Sequence, residues 1–229
     1  VYTFTFPAAI PDGSNFISAR VEMVDPTSPE QNQGMGAFAT DLEIFVDTVV
    51  PPVFFGQQSI ATDGLHPNSD SGVLGPQPSN IATLSDRITN DTTPTFWGRS
   101  EADANIRAYL DVNGNGTVEL ATDIFLGFTT AIPYNGTNQM GNPGGNEPNG
   151  YWELTSVVNL DSQQVLTALG VPAGQSGGLR RILITGEDVA GNITSGAAQI
   201  QLLNIFVDEQ GPQITGVEIT GSPGFDLFD

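Results

Sequence analysis

Leu42-Glu-Ile-Phe-Val-Asp47-Thr-Val-Val-Pro-Pro52 returns 161 positions later as Leu203-Asn-Ile-Phe-Val-Asp208-Glu-Gln-Gly-Pro212. Leu, Ile and Val alternate in both copies, which is the period of a strand with one buried face. Proline then ends each strand ladder, since it has no N–H to donate. A match at fixed offset is the mark of repeat architecture. Upstream, Ala19–Asp25 pairs with Ile182–Asp188, and Val1-Tyr-Thr-Phe-Thr with Tyr151–Thr155, at offsets that drift. The chain divides on this reading into 1–47, the C-terminal part of a preceding repeat, 48–208, a complete repeat with long loops, and 209–229, the start of a third.

Within 48–208 the apolar runs are short. Thr93–Gly98, Asn105–Leu110, Ile124–Thr130, Tyr151–Ser156, Arg181–Thr185 and Gln199–Val207 read as strands separated by Gly, Asn, Asp and Pro clusters. One helix is expected, with Asp161 as N-cap, Gln163–Leu169 as body and Gly170 as stop. Asn135–Gly150 reads as a long surface loop. The pattern predicts an all-β fold, a β-sandwich with one short helix inserted.

Composition narrows function. Twenty-six Asp and Glu stand against six basic residues, all Arg, for a formal net charge of −20. Such a chain repels phosphate backbones and anionic lipid, so nucleic-acid binding is not expected. No apolar run is long enough to span a bilayer, and Val1–Phe6 has no basic n-region of a signal peptide. With no Cys and a single His, His66 in a turn, the chain is poorly equipped for nucleophilic triads or Cys-type zinc sites. Paired carboxylates for glycoside hydrolysis remain conceivable, but no pair among 26 acids stands out. Trp97 and Trp152 could stack on a sugar face; both lie in strand patterns, which favours core packing. Tyr134, Tyr151 and Trp152 are the one aromatic cluster for a carbohydrate- or protein-binding face.

Asp111-Val-Asn-Gly-Asn-Gly-Thr-Val-Glu119, followed by Asp123, carries the sharpest local motif. Asp111, Asn113 and Asn115 alternate, Gly116 falls sixth and the Thr117 carbonyl seventh, as in the first half of an EF-hand-type calcium loop. Ca²⁺ needs six to eight oxygens, and alternate side chains on a tight loop converge on one point. Glu119 or Asp123 would close the shell. The alternative is an Asn-Gly hairpin turn that binds nothing. A second acidic set, Asp63, Asp70, Asp86 and Asp91, occupies a long segment before the Thr93 strand. Calcium at a domain junction, with Asp47 and Asp188, would organise it; a solvated acidic linker is the alternative.

Thr89-Asn-Asp-Thr-Thr-Pro-Thr-Phe-Trp-Gly-Arg-Ser-Glu-Ala-Asp-Ala104 resembles the opening of bacterial Ig-like repeats of giant extracellular surface adhesins. Glu187-Asp-Val-Ala-Gly-Asn192 is similar to their late hairpin, Val46–Pro52 to their repeat junction, and Asp70-Ser-Gly72 to the segment before their first core strand. The resemblance implies Ig-like sandwiches in tandem at the bacterial cell surface, stiffened by Ca²⁺. The ligands implied are Asp47, Asp70, Asp86, Asp91 and Asp188. The expected function is a non-catalytic structural repeat of an adhesin, matrix or appendage protein. Its partners are neighbouring repeats and lateral copies of itself. A carbohydrate- or protein-binding adhesin module is the alternative.

Overall fold

The computed structural model describes residues 5–6, 8–20, 22–24, 32–35, 38–56, 64–71, 86–134, 148–195 and 199–209. In chain order its elements are β1 (Gly13–Ile17), β2 (Glu22–Val24), β3 (Asn32–Met35), β4 (Leu42–Val46), β5 (Val53–Phe55), β6 (Ile88–Thr89) and β7 (Thr95–Ser100). There follow β8 (Asn105–Leu110), β9 (Ile124–Thr130), β10 (Ile132–Pro133), β11 (Gly150–Thr155), α1 (Gln163–Ala168), β12 (Gly178–Glu187) and β13 (Gln201–Val207). Four strands form one sheet in the order β10-β11-β7-β5, and five form another in the order β6-β13-β12-β8-β9. The pairs β1-β4 and β2-β3 stand apart as two-stranded sheets. Among the described residues only β6 runs parallel to its neighbour, β13.

The two larger sheets share one core. Val53, Phe96, Trp152 and Leu154 come from the first, and Ile106, Ala108, Leu110, Ile182, Ile184, Leu203, Ile205 and Val207 from the second. Alternate residues of β8 and β13 face inward, as strand geometry demands. Burying an aliphatic or aromatic side chain of this size contributes roughly 1.5–3 kcal/mol. Gly98 makes the closure possible, because a Cβ there would lie 1.9 Å from the Phe54 carbonyl oxygen and 2.6 Å from the Trp152 ring.

The helix forms where expected, but its cap differs. Ser162 is the N-cap, accepting the Val165 N–H at 3.4 Å. Asp161 is drawn away instead, accepting the Gly177 N–H at 2.6 Å and an Arg180 Nη2–H at 2.9 Å. Arg180 is buried and also donates to the carbonyls of Leu160, Leu179 and Gly177. One guanidinium therefore ties the turn before the helix and the turn after it to β12. Burial pulls Arg180 below its ordinary pKa, while the Asp161 charge and hydrogen bond pull it back up.

The register of β1 and β4 revises the upstream half of the internal match. Gly13↔Val46, Ser14↔Phe45, Asn15↔Ile44, Phe16↔Glu43 and Ile17↔Leu42 face each other. Gly178↔Val207, Leu179↔Phe206, Arg180↔Ile205, Arg181↔Asn204 and Ile182↔Leu203 do the same in β12 and β13. With Leu42–Val46 matched to Leu203–Val207, the register sets Gly13–Ile17 against Gly178–Ile182, so Ile17 and not Ala19 takes the place of Ile182. The glycines agree in conformation too, with φ of 106° at Gly13 and 107° at Gly178, a region that favours glycine. Phe6-Pro7-Ala8 then aligns with Val171-Pro172-Ala173 at the same offset. The stretch from Ile17 to Leu42, which carries β2 and β3, is four residues longer than the stretch from Ile182 to Leu203. The two hairpins differ in one respect: Leu203, Ile205 and Val207 are 3, 1 and 0% exposed, whereas Leu42 is 61% exposed and Ile44 and Val46 are half-buried.

Removing one partner of a buried ion pair leaves the other charge stranded. Asp161→Ala is expected to cost about 3–5 kcal/mol in urea unfolding followed by tryptophan emission.

Candidate functional site

The 111–123 segment is a loop organised from within. The Asp111 carboxylate, 1% exposed, accepts the N–H groups of Gly114 at 2.7 Å and Asn115 at 3.2 Å on Oδ1. Its Oδ2 accepts the Gly116 N–H at 3.0 Å and the Arg181 Nε–H at 3.1 Å. A carboxylate has about four acceptor positions, so Asp111 is filled. Asn113 donates to Glu119 at 2.6 Å and accepts the Asn115 N–H, while Asn115 accepts the N–H and hydroxyl of Thr117. Asp123 accepts the N–H groups of Val112 at 3.1 Å and Glu119 at 2.8 Å. All six residues of the expected calcium loop are thus brought together, but as a hydrogen-bonded turn clamped by an arginine. Its oxygens suit a hard cation in kind; a cation ligated by Asp111 would have to displace loop N–H groups or Arg181.

What the loop covers is the outward face of the five-stranded sheet. By register, Leu202, Leu183, Tyr109 and Phe125 form an apolar row across β13, β12, β8 and β9, pointing away from the core. Leu183 is nevertheless 0% exposed and Tyr109 7%. Val118 and Leu120 of the loop line a groove of about 410 Å³ with Tyr109, Thr185, Ile193 and Ile200. The Arg181–Asp111 pair anchors the loop onto this face.

The second acidic set is split. Asp47 and Asp188 lie at the end of the sandwich where β7 finishes and β5 begins, beside Glu101. Asp70, Asp86 and Asp91 lie at the opposite end, where β7 starts; Asp63 is outside the described residues. Between the ends runs the six-residue strand β7, a span of about 17 Å, so these acids form no single site within one sandwich. At the far end Asp86 accepts the Ile88 N–H and Asp91 the Thr93 N–H, both at 2.9 Å. Ser69 bridges the Asp91 carboxylate and the Thr95 N–H, next to the buried Asp70. At the near end burial and then the charges of Asp47 and Asp188 push Glu101 above its ordinary pKa. Burial of Asp188 works in the same direction, but hydrogen bonds from the Asn192 side chain and the N–H groups of Asn192, Gly191 and Ala190 outweigh it and hold that carboxyl below its ordinary range. Among the described residues no three acidic or imidazole side chains are arranged to hold a metal ion.

Trp152, 1% exposed, packs in the core, whereas Trp97, 4% exposed, is buried on the other face of its sheet against Tyr151, itself 4% exposed. Tyr134 and Tyr151 lie over the Arg99 guanidinium with 5.0 and 5.3 Å from Cζ to ring centroid. This aromatic cluster grips a buried arginine and offers no open platform. Reading the sequence for acids passed over the arginines, Arg99, Arg180 and Arg181, which hold the architecture. Their scarcity in a lysine-free chain was the available signal.

No protein-family model and no curated protein matches the chain. Among the described residues no helix is long and apolar enough to cross a membrane.

Asp111→Ala leaves the Gly114 and Gly116 N–H groups and a partly buried arginine without their acceptor, and is expected to cost about 2–4 kcal/mol in urea unfolding. Asp86→Ala, on an exposed turn, should stay within about 0.5 kcal/mol of the parent. Because the folded-state pKa of Glu101 is raised, its contribution to stability is full below the unfolded value and is lost as pH rises through the folded one. Glu101→Gln should therefore raise the melting temperature at neutral pH, and that advantage should vanish as pH falls through the carboxylate range near about 4. Asp188, with its lowered pKa, runs the other way: its contribution is lost as pH falls through the folded value.

Proposed function

We propose that this chain is a non-catalytic structural segment of a long extracellular surface protein built from tandem Ig-like β-sandwiches. The observation that carries the reading is the shared register of β1-β4 and β12-β13, with matching glycine conformations and unequal burial of the matching rows. In β13 the row Leu203, Ile205, Val207 is closed by the opposing sheet. In β4 its counterpart Leu42, Ile44, Val46 is less covered, with Leu42 61% exposed and Ile44 and Val46 half-buried, as expected of the last strand of a preceding sandwich. Residues 1–47 are on this reading the end of one unit, 48–208 a whole unit, and 209–229 the start of the next.

Calcium belongs to the proposal as the stiffening ion. Asp70, Asp86 and Asp91 close one end of the sandwich and Asp47, Asp188 and Glu101 the other, so consecutive units set acidic ends against each other. A divalent cation there offsets charge that the chain's few arginines leave uncompensated. The Asp111 loop is a second place of entry, through Glu119 and Asp123, at the expense of its internal hydrogen bonds. Burial of both tryptophans supports the structural reading over a sugar-binding one, since stacking platforms need exposed rings.

The test is a thermal melt in millimolar Ca²⁺, in Mg²⁺ and with chelator. Extracellular modules bind Ca²⁺ at about 10⁻⁴–10⁻³ M, so each occupied site should add about 0.4–1.4 kcal/mol at about 1 mM ion. A calcium-specific rise in melting temperature, reduced by Asp188→Ala, supports the stiffening role. An identical melt in all three conditions removes calcium from the proposal.

A further inference from the structure

We infer that the hairpin joining β12 to β13 is an interface for the last strand of the preceding unit, with the Asn192 side chain as its latch. Both amide hydrogens of Asn192 are used. One is donated to the Asp47 backbone carbonyl at 3.1 Å, across 145 residues of sequence, and the other to Asp188 Oδ2 at 2.7 Å. Asp188 is 5% exposed and its Oδ1 accepts the Asn192 N–H at 2.8 Å, so the latch is itself held in orientation by its own hairpin. The partner it recognises is a backbone carbonyl at a strand end, not a side chain, and the interaction tolerates any residue at that position.

The connector around the latch is seated as well. Thr48 donates to the Asp12 carboxylate at 2.9 Å and the Val49 N–H to Asp47 at 3.0 Å, closing the base of the β1-β4 hairpin. Pro51 is buried, and Pro51 and Val53 lie over Gly186 of β12, where an added Cβ would come within 2.4 Å of Val53 Cγ2. A short connector with two prolines, hydrogen-bonded at its start and packed at its end, is a rigid joint and not a flexible linker. The inference depends on the tandem reading only for the name of the partner; the joint itself is measurable in this chain.

The chain has no cysteine, so Phe45→Cys and Phe128→Cys place two spin labels on exposed positions of the hairpin and the sandwich. With Asn192 present a single narrow distance distribution is expected. Asn192→Ala should lose that narrow peak, while the tryptophan-monitored melt of the sandwich stays within about 2 °C of its parent. An unchanged distribution in Asn192→Ala overturns the latch. So does a sandwich melt that falls together with the peak, because Asn192 then serves only the fold of its own hairpin. A lost peak in a chain that shows no calcium response leaves the latch standing and removes the ion alone.

Discussion

Carboxylates in this protein are satisfied by backbone N–H groups because there are too few cations to satisfy them. With 26 acids and six arginines, ion pairing can serve only a few, and among the described residues arginines pair with Asp161, Asp111 and Glu187. Elsewhere the acid caps its own loop: Asp47 holds Val49, Asp86 holds Ile88, Asp91 holds Thr93, Asp123 holds Glu119 and Val112, and Asp188 holds Asn192. Aspartate suits this task because its short side chain reaches the N–H two residues on. The loops between strands are therefore shaped by the same residues that set the net charge. That is why an acidic composition and a turn-rich, ordered β-fold coexist here.

The buried arginines mark where loop anchoring needs more than an aspartate. Arg180 joins three backbone carbonyls and Asp161 around the helix, and Arg181, its neighbour on the opposite face of β12, holds the Asp111 loop against the outer apolar row. Adjacent residues of one strand point to opposite faces, so a single dipeptide pins an insertion on each side of the sheet. The helix segment and the 111–123 loop are thus tied to two neighbouring positions of one strand.

Much of the fold was legible because the apolar rows are regular. The strands Asn105–Leu110 and Ile124–Thr130 coincide with the periodic runs, and the helix sits where the Gln163–Leu169 pattern placed it. The cap was misread at Asp161 because a local preference lost to a distant guanidinium, which no window of sequence shows. The upstream half of the internal match was placed differently because few residues of Gly13–Ile17 and Gly178–Ile182 are identical, and only pairing register sets Gly13 against Val46 as it sets Gly178 against Val207. The acidic loop was legible as a loop: its spacing marked where side-chain oxygens gather. Which donors they meet depended on Arg181, 70 residues away in sequence. The acids of the second set read as one group because they are near in sequence or in the internal match; a strand's length separates them.

The sheet edges carry a consequence for behaviour in a crowd. β6 and β10 are two residues long and β5 three, too short to template another chain. In the two larger sheets the longer edge, β9, slips register against β8 between Ala108 and Tyr109, beside Gly127 at φ 138°. Its Leu126 carbonyl is already taken by the Val157 N–H at 2.8 Å. Bent and partly capped edges of this kind resist edge-to-edge aggregation. Exposed phenylalanines on such a strand can then be carried at high local density without seeding fibrils, an advantage for any protein displayed in many copies side by side.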